Sequence, residues 1–98
     1  MPARVAALVV EVHIAQSHSL KDKRQVVRAV LDGARTRFRV AAAETDHADT
    51  WQRAQLTFAA ASGSVGHTDE VLDGVERFVW SFPELEVLDH TRTHLEVD

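Results

Sequence analysis

Hydrophobic residues recur along this chain with two different periods, and the order in which those periods alternate constrains the fold most. Apolar side chains repeat at every second residue over residues 4–15, which is typical of a strand with one buried face. Residues 20–38 and the segment from Thr68 to Pro83 carry apolar stripes at helical spacing instead. Further strands are predicted over residues 40–45, 53–62 and 85–97. The sequence therefore predicts the order β-α-β-β-α-β.

The two helix starts have local signals. Ser19 is a good N-cap for the first helix, and Asp22 stands three residues later, as in a capping box. Thr68 is the predicted N-cap of the second helix, after a loop over residues 62–66. The acidic residues that follow Thr68 suit the positive end of a helix dipole.

This order of elements predicts an α+β fold. If each helix buries one stripe, the chain forms a two-layer sandwich. Right-handed crossovers then give the ferredoxin-like arrangement, a four-stranded antiparallel sheet of order 4-1-3-2 with two helices on one face. The first strand should be central, since Leu8, Val10 and Val12 make one of its faces apolar. A chain of 98 residues is expected to be a single domain, residues 1–98.

Composition excludes several classes of site. The chain has no cysteine, which excludes disulfides, thiolate metal sites and cysteine nucleophiles. Its six histidines do not fall at metal-ligand spacing, and no phosphate-binding glycine loop is present. We therefore expect no metal and no cofactor, and an enzyme is the less favoured class. No apolar run approaches the roughly 20 residues of a membrane span and no signal peptide is recognisable, so we expect a cytoplasmic protein without membrane contact.

The net charge of -4 hides an asymmetry between the two parts of the chain. Residues 1–39 hold eight Lys/Arg and three Asp/Glu, whereas residues 40–98 hold three and twelve. Five cations of the first predicted helix share one flank of its apolar stripe, and we call them the basic ridge: Lys21, Arg24, Arg28, Arg35 and Arg39. At about 1.5 Å per residue the ridge is roughly 27 Å long. As a functional site it would be a surface that tracks phosphates, whereas charge runs of this kind are more often a solvated helix face.

The alternating chain direction brings three segments to one end of the predicted sheet: residues 19–24, 44–53 and 82–84. Lys23 falls in the sector of the helix that faces the sheet, so we expect it to contact a hairpin carboxylate, Glu44 or Asp46. Such a contact belongs either to an ion-pair cluster that fixes the hairpin or to a polar binding pocket.

An aromatic residue follows the hairpin turn directly, in the run Trp51, Gln52 and Arg53. A tryptophan beside an arginine can stack a nucleic-acid base or anchor a protein interface. It can equally cap the open end of the hydrophobic core. The sequence leaves these alternatives open.

Three stretches carry a resemblance to a known family. They are VEVHI at residues 10–14, SHSLKDKRQVVRAVLDGARTRF at 17–38 and AAAETDHADTWQRAQL at 41–56. The chain resembles the YlxP-like proteins, small bacterial cytosolic proteins of uncharacterised function, most specifically in the runs 19–24 and 49–54. The resemblance implies a ferredoxin-like fold and a gene neighbourhood shared with translation and ribosome-maturation factors. It brings no defined catalytic residues.

The leading functional hypothesis is a non-enzymatic module that binds structured RNA or a ribosomal assembly intermediate. Eight residues are predicted to make the contacts: Lys21, Lys23, Arg24, Arg28, Arg35, Trp51, Gln52 and Arg53. The alternative is a protein-interaction module, either a homodimer or a complex with another partner, formed through the open sheet face. Val9, Ala59 and Ala61 give that face apolar area with little charge.

Overall fold

Six helices and strands follow one another in the predicted order. The computed structural model describes residues 2–98, so Met1 of the predicted domain lies outside the described residues. The elements are β1 (Ala3–His13), α1 (Leu20–Phe38), β2 (Ala41–Asp46), β3 (Arg53–Ser62), α2 (Val65–Trp80) and β4 (Glu86–Val97). All strand pairs are antiparallel, and the sheet order is β2-β3-β1-β4, which confirms the predicted topology.

The strand β1 is central and buries the face that the alternation predicts. Leu8, Val10 and Val12 are at most 1% exposed and lie against the helix layer, whereas Val9 on the opposite face is only half-buried. Both helices pack on the same side of the sheet and against each other. Their buried stripes complete the core: Val27, Val30, Leu31 and Ala34 from α1, and Leu72, Val75 and Val79 from α2.

Two glycines let the helices approach each other closely. A Cβ atom at Gly33 of α1 would lie 2.4 Å from the Phe78 ring of α2, and one at Gly74 of α2 would lie 2.7 Å from the Phe38 ring of α1. Each helix therefore inserts a phenylalanine where the other has no side chain. The two rings also meet edge to face at 5.9 Å, a geometry that the aromatic quadrupole favours.

The start of α2 corrects the sequence-based expectation. The helix begins at Val65, and the Ser64 hydroxyl, which accepts from the His67 N–H, caps it in place of Thr68. Thr68 lies inside the helix, buried, and its hydroxyl donates to the Ser64 carbonyl. Two good N-cap residues stand one turn apart, and the earlier one satisfies the free N–H groups first. The acidic residues after Thr68 therefore lie beyond the first turn.

The helix α1 matches its predicted bounds. The Ser19 hydroxyl caps it by accepting from the Asp22 N–H, as expected, while the Asp22 carboxylate accepts from His18 and not from the Ser19 N–H of a strict capping box. The chain leaves the helix through Arg39 in the left-handed conformation, with φ 55.

No helix within residues 2–98 is both long and apolar enough to cross a membrane.

Candidate functional site

The hairpin between β2 and β3 is held by a buried lysine. Lys23, in the first turns of α1, has no exposed surface. Its ammonium group donates to the carbonyls of His47 at 2.6 Å, Ala48 at 3.2 Å and Arg53 at 3.2 Å, which uses all three of its protons. The Glu44 carboxylate lies 2.9 Å away and supplies the opposite charge without a hydrogen bond of good geometry.

The contact between Lys23 and Glu44 confirms one of the two predicted partners. The other candidate, Asp46, instead accepts from the His47 backbone N–H. Of the two interpretations left open by the sequence, this arrangement is the ion-pair cluster that fixes the hairpin. Because the Lys23 ammonium is enclosed by protein atoms, we leave Lys23 out of the ligand-contacting surface.

The three residues after the hairpin turn differ in how much of each side chain remains available to a partner. The Gln52 amide donates to the carbonyls of Ala15 and Ser17, so it ties the hairpin to the loop before α1. The Arg53 guanidinium lies 3.3 Å from the Glu11 carboxylate on the open sheet face. Trp51 is 54% exposed and therefore does not close the end of the core. It is the residue of this run with surface available to a partner.

The basic ridge lies along the exposed side of α1, and its members are exposed. Lys21, Arg24 and Arg28 have no acidic partner within residues 2–98. Arg35 differs, since its guanidinium pairs with Asp32 at 2.9 Å and also donates to the Ala42 carbonyl on strand β2. The ridge therefore has an unpaired half near the hairpin, formed by Lys21, Arg24 and Arg28. Farther along, Arg35 is bonded within the protein and Arg39 makes no ion pair within residues 2–98.

A shallow groove of about 270 Å³ runs beside the ridge, between α1 and the edge strand β2. Arg24, Arg28 and Arg35 line it from the helix, and Glu44 lines it at the hairpin end. A second depression of about 200 Å³ adjoins it, formed by Lys21, Gln25 and the same two arginines Arg24 and Arg28. Four of the eight residues predicted to contact a ligand are thus brought onto one continuous surface.

An ionic network that the sequence analysis missed joins α2 to the edge strand β4. The Arg92 guanidinium lies 2.8 Å from Asp73, 3.3 Å from Glu76 and 3.4 Å from Asp69. Two histidines flank it on the same strand face, with His94 at 2.8 Å from Asp69 and His90 at 2.8 Å from Glu76. The signal was present in two spacings: an arginine between two histidines at every second residue of a strand, and acids on one flank of a helix.

This network shifts two pKa values. The pKa of Asp69 lies below its usual 3.8, chiefly because the His94 ring hydrogen-bonds to its carboxylate, and the positive charge of Arg92 adds to this effect against the opposing desolvation. Burial works against the charge on Arg92, but the hydrogen bond to Asp73 and the surrounding carboxylates outweigh it and raise the pKa of Arg92 above its usual value.

The free energy of unfolding is expected to decrease at acidic pH, because Asp69 then becomes protonated. A carboxyl whose pKa is lowered on folding stabilises the native state above its unfolded value, near 3.8, and loses that contribution as the pH falls through the lower folded value. Urea midpoints measured at a series of acidic pH values should show a loss beginning near pH 4. Asp69→Asn should flatten this part of the profile, and an identical acid limb in the variant and the parent would contradict the assignment.

Within residues 2–98, no group of three or more His, Asp or Glu side chains has the arrangement to hold a metal ion.

Comparison with known proteins finds a matching family and a similar protein of known sequence. Residues 5–92 match the model of a family described as a protein of unknown function, DUF503. A protein of Bacillus subtilis (strain 168), described as uncharacterized protein YlxP, is 40% identical over 73 residues, which covers 74% of this chain and 79% of the relative. The match confirms the resemblance to YlxP-like proteins.

Proposed function

The chain belongs to the DUF503 family, whose function is unknown, and we propose that this member is a non-enzymatic module that binds the phosphate backbone of RNA through the basic ridge of α1. Structured RNA, alone or within a ribosomal assembly intermediate, is the proposed ligand. The site is the unpaired half of the ridge together with the groove beside β2.

One observation carries this proposal: three successive turns of α1 present cations that the protein does not neutralise itself. Of the other cations, Arg4, Arg53 and Arg92 are paired with acids, whereas Arg37, Arg39 and Arg77 make no ion pair within residues 2–98. What distinguishes Lys21, Arg24 and Arg28 is that they line one depression together on a single flank of the helix. An unpaired cation in the first turns of a helix also opposes the helix dipole, at a cost of some tenths of a kcal/mol. Uncompensated positive charge at such a position favours a function that requires it.

The helix layer concentrates this charge on one side. The helix α1 contains six Lys/Arg and two Asp, whereas α2 contains four Asp/Glu and one Arg. Since Arg92 of β4 lies against the acids of α2, the negative side is partly neutralised within the protein. A polyanion that approaches the α1 side meets local positive charge in spite of the net -4, because screening over roughly 8–10 Å limits the reach of distant acids at physiological salt.

Within residues 2–98, the open face of the sheet carries no Phe, Tyr or Trp, which separates this proposal from recognition by an RRM-type sheet; its one aromatic side chain on the central strands is His13. The central strands carry Val9, Glu11, Gln55 and Thr57 there, and none of them is aromatic. Trp51 lies in the hairpin that Lys23 attaches to the start of α1, so it stands at the same end of the molecule as Lys21. We propose that Trp51, which is exposed, stacks an unpaired base next to the phosphate-bound strand.

Binding of a labelled RNA hairpin at increasing salt tests the proposal. Three phosphate contacts, from Lys21, Arg24 and Arg28, should give a slope of roughly -2 to -3 in log affinity against log salt. Affinity should then fall about 20- to 40-fold between 50 and 200 mM salt. Arg28→Gln should reduce the magnitude of the slope by the amount that one phosphate contact contributes, because binding of the variant releases one counterion fewer.

Arg77 supplies the matched control, because it is exposed on α2 and makes no ion pair within the described residues. Arg77→Gln removes the same charge from the other helix and should leave the slope unchanged. Binding without salt dependence, or an equal loss of slope in both variants, would overturn the assignment of the site to α1.

A further inference from the structure

The sheet face opposite the helices is uncovered, and the strand register arranges its side chains in rows. Three rows carry neither acid nor base, and we call them the apolar rows. From the end of the sheet opposite the β2–β3 hairpin toward the hairpin end, they are Ala61–Val5–Leu95, then Ala41–Ala59–Ala7–Thr93, then Ala43–Thr57–Val9–Thr91. Apolar and hydroxyl side chains therefore cover the face over most of its length.

Charge on this face is confined to its hairpin end. The next row contains Glu11 on β1, opposite Gln55 on one side and Asp89 on the other. Glu11 is already satisfied within the protein, since Gln55 donates to it at 2.7 Å and Arg53 and His47 lie at 3.3 and 3.2 Å. The open face is thus divided into an uncharged region and a polar end in which Glu11 is paired within the protein.

The uncharged region includes unusually exposed large side chains. Leu95 is 59% exposed and Val97 44%, and both are on the open face by their register with Val5 and Ala3. Neither contributes to the core on the helix side. Contiguous exposed apolar surface of this kind marks an interaction site in a soluble protein.

We propose that the apolar rows are the interface of a symmetric homodimer in which two sheets pack face to face, with the helix layers outside. A two-fold axis near Ala7 and Ala59 sets apolar rows on apolar rows. Because Ala3 and Glu11 lie four residues to either side of Ala7, the same axis sets the polar end of each copy against the Ala3–Val97 end of the other. Glu11 enters that contact with Arg53 and His47 of its own chain as partners. A second copy covers the apolar rows without burying a charge in them, whereas a charged partner would find no complementary group on these rows.

The area of the open face can be compared with the area that a stable dimer buries. Three strands of about ten residues and one of six, at roughly 3.3 Å per residue and 4.8 Å per strand, give a planar face of about 600 Å². Stable interfaces bury roughly 600–1,000 Å² on each partner. The whole face, its polar end included, lies at the lower edge of this range, so we expect a weak dimer that dissociates on dilution. The proposal does not depend on RNA binding, because the basic ridge stays on the outer surface of both copies.

Sedimentation of the full chain over a concentration series from low micromolar to millimolar tests the dimer. The mass should rise from that of one chain to that of two. Leu95→Lys should weaken association by about tenfold or more, since it places a charge within the apolar rows. Trp80→Lys is the control, because Trp80 is 58% exposed but lies on α2 in the helix layer. A monomer at millimolar concentration, or dissociation caused by Trp80→Lys and not by Leu95→Lys, would overturn the proposal.

Cross-linking locates the interface independently, because the natural chain has no cysteine. A single Ala59→Cys stands near the proposed axis and should form a disulfide-linked dimer under mild oxidation. Ala29→Cys, the same substitution on the exposed side of α1, should stay largely monomeric. Efficient cross-linking through position 29 and none through position 59 would place the contact on the helix layer and contradict the face-to-face arrangement.

Discussion

Replacing Lys23 with methionine is expected to lower the free energy of unfolding by about 3–5 kcal/mol, the cost of breaking a buried ion pair by removing one partner. Methionine retains the aliphatic volume but leaves the Glu44 carboxylate, which is 19% exposed, without its counter-charge. The carbonyls of His47, Ala48 and Arg53 also lose their shared donor. Urea unfolding followed by circular dichroism measures the loss.

A double-mutant cycle separates the ion pair from the carbonyl contacts. Glu44→Gln removes the buried charge, so Lys23→Met should cost less in that background than in the parent. The remaining cost would report the three carbonyls. Hydrogen exchange should be faster at residues 46–50 in every variant that lacks Lys23, because the lysine ties this hairpin to α1. A loss below about 1 kcal/mol for Lys23→Met would contradict the structural role given to Lys23.

The pairing of Lys23 with a hairpin carboxylate could be predicted from helical geometry. Its contacts with three backbone carbonyls could not. The position of Lys23 within the apolar sector of α1 and the topology of the hairpin together predict a contact with Glu44 or Asp46. The convergence of three carbonyls depends on the conformation of the loop after β2, where His47 adopts φ 64. A left-handed histidine is uncommon and has no signal comparable to an Asn-Gly turn, so this part of the cluster required the structure.

The order of the strands follows from the sequence for physical reasons. Alternation on β1 and the two helical stripes leave one topology in which each apolar face is covered, once right-handed crossovers are required. The start of α2 does not follow in the same way. Ser64 and Thr68 are both competent caps, and Val65, the first residue of the extra turn, is exposed and adds nothing to the apolar stripe.

The candidate surface is also predicted in part. Helical spacing places Lys21, Arg24 and Arg28 together, but it does not reveal that Arg35 is bonded to Asp32 and to the backbone of β2. The network around Arg92 was missed because the helix-facing side of a strand is expected to be apolar. Since β4 is an edge strand, its polar residues lie at the rim of α2, where water and carboxylates are both available.

Reversing two charges of the ridge is expected to weaken RNA binding by roughly 100-fold or more, since each charged hydrogen bond to phosphate contributes about 1.5 kcal/mol or more. Arg24→Glu combined with Arg28→Glu removes two contacts and adds two repulsive charges on neighbouring turns. The magnitude of the salt slope should fall from roughly 2–3 to less than about 1. Both side chains are exposed and lack ion pairs within the described residues, so the fold should be unaffected.

A single reversal on each helix distinguishes local contact from net charge. Arg28→Glu and Arg77→Glu change the total charge equally, one on the basic ridge and the other on α2. If the ridge binds phosphates, Arg28→Glu should weaken RNA binding about tenfold and Arg77→Glu by much less, because charges more than a Debye length from the RNA are screened. Equal losses would mean that the RNA responds only to the total charge of the protein, and α1 would then be a solvated helix face. Loss of all binding in Trp51→Ala with no effect of Arg28→Glu would move the contact from the ridge to the hairpin.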